Sequence, residues 1–396
     1  MRAARLSCGF RFVKIDHAPA SPKNLEKQRK KILSYYLMKG LETLRKKIDK
    51  LDREIVALLN ERARAAIEIG RIKETGNASC YSPAREREVM DNIKAANAGP
   101  LSNAALVNVY REIISASRSL EGPLRIACLG PLATFAHLAA LRHFGASSKI
   151  SPMETVKDVF DEVDSGRADF GVVPIENSNE GIVGNTLDMF INNEYDLKIC
   201  GEALLEVQQN LLSKKGDISG IKRIYSHPQG IAQCRGWLEK NVPGARLFET
   251  SSTARAAEIA AQEEDSAAIA SEAAAELYKL KFIAKGIEDR KHNFTRFLVI
   301  GKDYPPRTGK DRTSVMLSVK DKPGALHDVL APFKRSGLNL TKIESRPSKR
   351  KAWEYIFFVD MDGHVTDKPV DKALKGIAKA CLFVKVLGSY PRVEAD

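Results

Sequence analysis

The stretch LETLRKKIDKLDREIVALLNERARAAIEIGRIK, residues 41–73, decides the architecture of the first part of this 396-residue chain. Apolar residues recur at positions 41, 44, 48, 51, 55 and 58, and spacings of three and four residues are typical of an amphipathic helix. The pattern ends near Gly76, which predicts a helix of about 34 residues and roughly 50 Å. Two shorter helices are predicted after it, one from the cap Ser82 and one from Ser102 to about Leu120. Because they cannot wrap so long a helix, a second copy should complete the bundle.

Charged side chains within this helical pattern form a candidate anion site. Arg62 and Lys73 are about three turns apart, so they share a helix face and lie roughly 16 Å apart along the axis. Arg45 lies roughly 25 Å from Arg62, so it reaches the same ligand only from an antiparallel partner helix. The remaining candidates open the second helix or close the third: Arg85, Glu86, Ser117, Arg118 and Glu121.

Residues 40–121 resemble the all-helical chorismate mutase family, through the stretch above together with YSPARERE (81–88) and REIISASRSLE (111–121). The resemblance implies an interlocked dimer that rearranges chorismate to prephenate. The implied site residues are Arg62, Lys73, Arg85, Glu86, Ser117 and Glu121, with Arg45 acting in the partner's site. Such a rearrangement needs a charged cage that holds a compact conformer and stabilises negative charge on the ether oxygen. Glu121 stands where other members carry Gln, so it should act protonated, and mutase activity should fall as the pH rises.

Strands that lead into short polar loops and then helices organise the middle of the chain. RIACLG (125–130), GVVPI (171–175), IKRIYS (221–226) and AAIA (267–270) have the composition of buried strands. Repetition of strand, loop and helix predicts parallel α/β layers. The polar loop residues should then collect at the carboxyl ends of the strands, where such sheets bind ligands.

Residues 124–302 resemble prephenate dehydratase, through LGPLATF (129–135), GVVPIENSNEG (171–181), YSHPQGIAQC (225–234), SSTARAA (251–257) and NFTRFLVIG (293–301). The resemblance implies two α/β lobes, arranged as in periplasmic binding proteins, that enclose prephenate in their cleft. It assigns Thr295 to the departing ring hydroxyl, and Glu176 is a candidate proton source because a Thr hydroxyl alone is a poor acid. Arg296 either clamps a substrate carboxylate or braces the site, and His227 is either a ligand or a structural residue. Binding or supporting roles carry over to Thr134, Asn177, Ser178, Ser226, His227, Gln229, Gln233, Ser252, Thr253, Arg296 and Phe297.

The C-terminal segment has the βαββαβ order of a ferredoxin-like domain. Its elements are SVMLSV (314–319), a helix over 325–336, NLTKIESRP (339–347), WEYIFFVDM (353–361), a helix near 367–380 and VKVLGSYP (384–391). Residues 313–392 resemble the ACT domain, an amino-acid sensor. PGALHDVL and IESRP are the motifs by which the dehydratase family binds phenylalanine between paired modules. The resemblance implies a phenylalanine site formed by Gly324, Ala325, Leu326, Asn339, Leu340, Glu344 and Ser345.

Charge and the length of apolar runs argue against two other classes, nucleic-acid-binding proteins and membrane proteins. The chain carries 63 basic and 50 acidic residues, a net charge of +13, and residues 1–39 hold ten of the basic residues but only two acids. The excess charge is therefore local, which argues against nucleic acid binding. The tail is either a targeting segment or an upstream extension before a start at Met38. No apolar run reaches the roughly 18 residues that indicate a membrane span.

Cysteine and glycine patterns point away from metals and cofactors. The six cysteines include no CxxC pair, which predicts no metal or disulfide framework and fits a reducing, cytoplasmic setting. The sequence has no glycine motif of a nucleotide-binding site, so we expect no cofactor.

Together, the resemblances predict a multidomain fold. It comprises a basic tail, disordered or untranslated (1–39), an all-α bundle (40–122), a two-lobed α/β domain (123–303), a linker (304–312) and an α+β ferredoxin-like domain (313–392). The order and size of these parts resemble the bifunctional chorismate mutase/prephenate dehydratase family, the P-proteins of phenylalanine biosynthesis. The resemblance implies a homodimeric or tetrameric enzyme that converts chorismate to prephenate and then to phenylpyruvate, under feedback inhibition by phenylalanine. Two alternatives stay open: a dehydratase that accepts arogenate, alone or with prephenate, and a phenylalanine-sensing binding protein without catalysis.

Overall fold

The long helix predicted from the opening stretch is present and begins earlier than predicted. The computed structural model describes residues 22–75, 81–192, 195–320, 322–348 and 355–393, and residues 1–21 of the predicted tail lie outside this part. Helix α1 spans Pro22–Thr75, whereas the apolar pattern placed its start near Leu41. Residues 22–40 are rich in Lys and Leu, which have high helix propensity. Their apolar residues do not recur at a regular helical spacing, so the pattern did not show this part of the helix. Pro22 also suits the first helical position.

Two further helices complete the helical region. Helix α2 spans Pro83–Ala96, and the hydroxyl of its cap Ser82 accepts a hydrogen bond from the backbone N–H of Arg85 (3.4 Å). Helix α3 spans Asn103–Ser119 and is capped in the same way by Ser102. Each cap satisfies a backbone N–H that the helix leaves unpaired. The predicted starts of both helices are therefore confirmed.

The described residues form two compact units, which divide between Arg64 and Ala65. In the first unit the apolar stripe of α1 is open to solvent, since Leu44 is 60%, Ile48 55% and Ile55 52% exposed. An apolar stripe of this length on one helix face is normally covered by a partner surface.

The second unit continues with alternating strands and helices. The middle region contains β1 (Arg125–Leu129), α4 (Phe135–Phe144), β2 (Lys149–Met153), α5 (Val156–Asp164), β3 (Phe170–Asn177), β4 (Gly181–Ile182), α6 (Gly184–Ile191), β5 (Lys198–Glu206), β6 (Asn210–Ser213), β7 (Arg223–Ser226), α7 (Pro228–Gln233), α8 (Arg235–Asn241), β8 (Arg246–Glu249), α9 (Thr253–Ala260), β9 (Ser266–Ala270), α10 (Glu272–Leu277), β10 (Lys281–Ala284) and β11 (Phe294–Gly301). The C-terminal region contains β12 (Asp311–Val319), α11 (Ala325–Arg335), β13 (Leu340–Pro347), β14 (Tyr355–Asp362), α12 (Lys368–Ala378) and β15 (Cys381–Pro391).

Two sheets divide the middle region into lobes. In the first lobe the strand order is β5-β11-β3-β1-β2, where β1 is parallel to β2 and β3, and β11 is antiparallel to β3 and β5. In the second lobe the order is β10-β6-β9-β7-β8, where β7 is parallel to β8 and β9. The predicted two-lobed α/β architecture is confirmed. The sequence pattern missed β2, β8 and β10, which are sheet edges, and the short strands β4 and β6. It also missed β5, which carries Gly201 and Glu202 at its centre.

The C-terminal region has the predicted ferredoxin-like arrangement. Its strands lie in the order β13-β14-β12-β15, each antiparallel to its neighbour. This sheet continues into the first lobe because β15 runs parallel to β5, with Gly388 paired to Ile199. A Cβ at position 388 would lie 2.0 Å from the Ile199 carbonyl oxygen, so only glycine permits this approach. The C-terminal domain is thereby joined through β5 to strand β11.

One buried apolar cluster spans this junction. It includes Phe190 and Leu298 of the first lobe and Phe358 and Tyr390 of the C-terminal region.

Within the described ranges, every helix is too short or too polar to cross a membrane.

Candidate active sites

Thr295 lies near the start of β11, opposite Asn177 at the end of β3. The amide Nδ2 of Asn177 donates to Thr295 Oγ1 (2.9 Å) and to Asn293 Oδ1 (2.8 Å). Asn177 Oδ1 accepts from the backbone N–H groups of Asn179 (3.0 Å) and Glu180 (3.1 Å). Because two backbone donors face the amide oxygen, the amide nitrogen must face Thr295. Thr295 Oγ1 is therefore an acceptor in this bond and keeps its own proton for donation.

The polar groups around Thr295 are almost fully buried. Thr295 is 9% and Asn293 1% exposed, and Asn293 Nδ2 has no hydrogen-bond partner within the described part of the chain. Ser178 holds the same loop, since its Oγ accepts from the backbone N–H of Phe294 (3.0 Å). The structure thus brings together Thr295, Asn177 and Ser178 of the predicted set. It adds Asn293, whose unsatisfied amide N–H is available to a ligand.

Strand alternation turns Glu176 away from Thr295. Neighbouring residues of a strand point to opposite faces, and Arg296 pairs with Glu176 in the ladder where Thr295 pairs with Asn177. Glu176 Oε2 accepts from the Nζ of Lys342, on strand β13 (3.0 Å). This placement corrects the prediction of Glu176 as the proton source, because its ion-paired carboxylate faces away from the Thr295 hydroxyl.

Arg296 braces the back of the site. Its Nε donates to Glu202 (2.7 Å), its Nη1 to Asp360 (2.7 Å) and its Nη2 to the Tyr390 hydroxyl (3.0 Å). Arg312 donates to the same Glu202 carboxylate. Burial opposes the charge of Arg296, but Tyr390, Asp360 and Glu202 outweigh burial and raise its pKa above the ordinary value. Of its two predicted roles the structure supports the bracing one, since each of the three guanidinium nitrogens already donates to a protein group.

Two other predicted binding residues are enclosed. Phe297 is 2% exposed and packs with Ile126 and Val172 in the core of the first lobe. The prediction of Phe297 as a substrate-binding residue is therefore wrong, because the side chain has no surface toward a cleft. Ser226 is fully buried, and its hydroxyl donates to the Ile269 carbonyl (2.9 Å).

Several predicted residues lie at helix starts, where partial positive charge favours carboxylates. Thr134 caps α4, His227 caps α7 and Ser252 caps α9, each by accepting a hydrogen bond from a backbone N–H. Gln229 and Thr253 lie in the first turns of α7 and α9. Burial lowers the pKa of His227, although Glu180 and Glu249 oppose this, and a neutral ring suits the observed accepting role. 

Hydrogen bonds connect the two lobes near Asn177. Gln233 Nε2, on α7, donates to Glu180 Oε1 in the loop after β3 (2.5 Å). The backbone N–H of Glu180 is one of the two donors that orient Asn177. Ser271 Oγ, in the second lobe, donates to the Ala133 carbonyl of the first (2.9 Å). The predicted residue Gln233 thus acts on the loop that orients the Thr295 partner.

The candidate mutase residues of the second unit meet at the ends of α1 and α3. Lys73 Nζ lies 3.6 Å from Glu121 Oε2, a buried oxygen with no hydrogen-bond partner among the described residues. A Cβ at Gly70 would lie 2.8 Å from Glu121 Cγ, so glycine permits the close approach of the two elements. Ser117 lies four residues before Glu121, and its hydroxyl donates to the Ile113 carbonyl (2.7 Å). The structure brings Lys73 and Glu121 together as predicted.

The two candidate mutase residues of α2, Arg85 and Glu86, point in different directions. Glu86 lines a cavity of about 840 Å³ between α2, α3, strand β5 and residues 391–393. Arg85 is exposed and donates to Glu88 (2.7 Å), so it does not join Glu86 in this chain. Arg45 and Arg62 belong to the first unit. Their joint role with the other mutase residues, with Arg45 acting across a dimer, stays a prediction.

The predicted phenylalanine site lies along the start of α11 and strand β13. Gly324 caps α11 with a φ of +79°, a left-handed conformation that glycine adopts without strain. Ala325 and Leu326 follow it, and Asn339, Leu340, Glu344 and Ser345 lie before and along β13. Lys342 and Arg346 share the face of Glu344, and they donate to Glu176 and Asp188 of the first lobe (3.0 Å each). The candidate sensor strand therefore contacts the first lobe directly.

Among the described residues, no group of three His, Cys, Asp or Glu side chains could hold a metal ion. Cys128, Cys200, Cys234 and Cys381 are free and buried. Burial raises the pKa of each of these thiols, to about 12 for Cys128 and about 11 for Cys381. Such thiols are poor nucleophiles at neutral pH.

Comparisons with known proteins match all three regions. Residues 44–122 match the family model for chorismate mutase type II, residues 126–305 that for prephenate dehydratase and residues 313–379 that for the ACT domain. A bifunctional chorismate mutase/prephenate dehydratase from Aquifex aeolicus is 51% identical over 359 residues, 90% of this chain and 99% of the relative.

Solved structures resemble the middle and C-terminal regions. The prephenate dehydratase from Arthrobacter aurescens, in complex with L-Phe, is 37% identical with a TM-score of 0.63, over 68% of this chain and 90% of that one. GqqA, described as a novel type of quorum quenching acylase, is 29% identical with a TM-score of 0.62, over 68% of this chain and 98% of that one. One fold can carry several activities, so the fold alone does not determine the reaction.

A helical mutase region, a two-lobed dehydratase domain and a sensor domain in one chain define a regulated multidomain enzyme. The chain belongs to the bifunctional chorismate mutase/prephenate dehydratase family.

Sequence reasoning missed several residues of these sites. Glu202, Asp360 and Lys342 gain their roles from partners at least 64 positions away in the chain, and no local pattern shows such pairs. Asn293 had a signal, because it stands two residues before Thr295 in NFTRF.

Proposed function

We propose that this chain rearranges chorismate to prephenate in its helical domain and converts prephenate to phenylpyruvate in its two-lobed domain. In the second reaction the bond to the ring carboxylate breaks and CO2 leaves. The released electron pair makes the ring aromatic as the ring C–OH bond breaks, and the departing hydroxide takes up a proton to leave as water. Aromatisation drives the reaction, so the protein need only orient the substrate and assist the departing oxygen.

The hydrogen bond from Asn177 to Thr295 is the observation that carries the dehydratase assignment. It makes Thr295 an acceptor toward the protein and leaves its O–H to donate to the departing hydroxyl. The unsatisfied amide of Asn293 supplies a second donor beside it. Donors fixed in advance where negative charge develops stabilise a transition state without reorganising.

Lys73 and Glu121 support the mutase assignment. A pericyclic step needs no nucleophile, and a cation beside a carboxyl group suits an ether oxygen that gains negative charge. Arg62 and an Arg45 from a second copy would complete the cage around the two substrate carboxylates. The exposed apolar stripe of α1 supports this homodimer, because a second copy would cover it. 

Phenylalanine is the proposed effector, bound at the start of α11 and along β13. The L-Phe complex of the Arthrobacter aurescens enzyme supports this assignment. To inhibit, phenylalanine must bind the inactive state more tightly than the active one. The contacts of Lys342 and Arg346 with the first lobe give such a difference a route to the catalytic domain.

The buried free cysteines support a cytoplasmic location.

An assay with chorismate alone tests both activities at once. Prephenate and phenylpyruvate are measured separately, with and without phenylalanine, and phenylpyruvate formation that phenylalanine suppresses is the expected result. Accumulation of prephenate without phenylpyruvate would contradict the dehydratase assignment, and arogenate would be the next substrate to test. Absence of both products would contradict the whole proposal.

Thr295→Val tests the dehydratase site itself. The change removes the hydroxyl and keeps the shape, so phenylpyruvate formation from prephenate should fall about 10²–10³-fold while chorismate turnover stays at the wild-type rate. Thr186→Val is the matched control, because Thr186 is also buried in the same lobe (0% exposed, against 9% for Thr295) but its hydroxyl donates to the Pro174 carbonyl (2.6 Å). Equal losses in both variants would refute the assignment of Thr295.

A further inference from the structure

Arg118 is a buried cation at the junction between the helical domain and the first lobe. It lies on α3 and is 5% exposed, and a buried guanidinium needs partners for its charge. Its Nη1 donates to Glu86 Oε1, and its Nη2 donates to the Phe144 carbonyl at the end of α4. The same Nη2 lies 3.5 Å from Ser148 Oγ, and the guanidinium carbon lies 5.2 Å from the centre of the Tyr81 ring. One side chain therefore links a candidate mutase residue to the dehydratase domain.

Glu86 stands between Arg118 and the cavity of about 840 Å³ that it lines. The charged and titratable groups that face it are Arg118 and Arg111 on α3, Lys73 on α1 and Tyr81 before α2. Burial raises the pKa of Glu86, and Arg118 contributes most among the cations that lower it. Loss of Arg118 would therefore let Glu86 bind a proton at a higher pH.

We propose that Arg118 is a positioning residue for the mutase reaction: it fixes the Glu86 carboxylate and is itself fixed by the main chain of the dehydratase domain. This inference rests on the proposed mutase function of Glu86. Lysine cannot take over both contacts, because its ammonium is a point charge, whereas the planar guanidinium reaches Glu86 and Phe144 at once. The dehydratase domain thus helps to shape the mutase site of the same chain.

The test is the pH profile of mutase kcat/KM in the full-length chain. In Arg118→Met the acidic limb should move upward by about 1–3 pH units, the usual effect of one nearby opposite charge on a carboxyl group. Arg118→Lys returns a charge, so its limb should move back toward the wild-type position while kcat stays reduced. Arg111→Met is the matched control: it removes the same charge from the same helix, but Arg111 donates to Asn108 (2.9 Å) and contributes less at Glu86. Its limb should move by less than half as much.

Dehydratase turnover of prephenate reports whether each variant keeps a folded first lobe. If Arg118→Met loses that turnover, Arg118→Gln is tested in its place, because its amide can still donate to the Phe144 carbonyl. The acidic limb of the mutase pH profile should then shift as predicted for Arg118→Met. An acidic limb at the wild-type position would overturn the inference, as would an equal fall of mutase activity at every pH. A wild-type chain without mutase activity would instead refute the proposed function, so the two failures are distinguishable.

Discussion

Replacing Asn177 by Asp should stop the dehydratase without unfolding it. Asn177 Oδ1 accepts two backbone hydrogen bonds, and a carboxylate oxygen would accept the same two. The other oxygen would replace Nδ2, which donates to Thr295 (2.9 Å) and Asn293 (2.8 Å). Thr295 would then donate its own proton to Asp, and the Asn293 amide would turn its unsatisfied N–H toward the same oxygen. Both donors proposed for the departing hydroxyl would face the protein.

The expected loss follows from those two donors. Removing one fixed donor from a developing anion costs about 10²–10³-fold in kcat, or about 2.7–4 kcal/mol, so Asn177→Asp should lose at least about a hundredfold. Stability should change little, because the hydrogen bonds to the carboxylate replace those of the amide. The assay is phenylpyruvate formation from prephenate, with the urea unfolding midpoint as the measure of folding. Asn241→Asp is the matched control, an exposed amide that donates to the Trp237 carbonyl (2.8 Å). A kcat within threefold of wild type in Asn177→Asp would refute the reasoning.

Three further predictions concern stability and regulation. Burial, with help from Arg118 and Arg111, lowers the pKa of His143 to about 4 from the ordinary 6.5, so stability present above pH 6.5 is lost as the pH falls toward 4, by about 3 kcal/mol in total. The urea midpoint of His143→Gln should accordingly vary less between pH 7 and 4.5 than that of the wild type, and equal variation would contradict this. Glu202→Gln should cost about 3–5 kcal/mol in chemical denaturation, whereas the exposed Glu264→Gln should leave the midpoint unchanged, and equal midpoints in the two variants would exclude a buried network. Glu344→Ala should weaken phenylalanine inhibition and keep turnover, and unchanged inhibition at a fixed phenylalanine concentration would rule out Glu344 as part of the sensor.

Local sequence motifs predicted more of the fold than the period of apolar residues did. The caps Ser82 and Ser102 and the six elements of the ferredoxin-like domain were predictable because each leaves a local signature. Residues 22–40 have no such signature, because they combine high helix propensity with no regular spacing of apolar residues. Strand β5 was missed for a different reason: Glu202 in its centre breaks the apolar pattern, and its burial makes sense only beside Arg296 and Arg312.

The site was predictable at the level of residues but not of directions. Thr295 and Asn177 were both predicted as residues of one site, and the structure places them in contact because their motifs fall on paired strands. Glu176 and Arg296 stand next to them in the same motifs, yet strand pairing turns them to the other face. Alternation along each strand separates the two faces, and the register of β3 against β11 decides which residues meet on each face.

The pairing of Gly388 with Ile199 has a consequence for how this sensor can be reused. The dehydratase domain and the C-terminal domain share one continuous sheet, and they meet at Gly388, where there is no room for a Cβ atom. Transplanting the sensor onto another enzyme therefore requires the recipient to offer an open strand edge with the register of β5. A flexible tether would lack this pairing, so the two domains would no longer share one sheet.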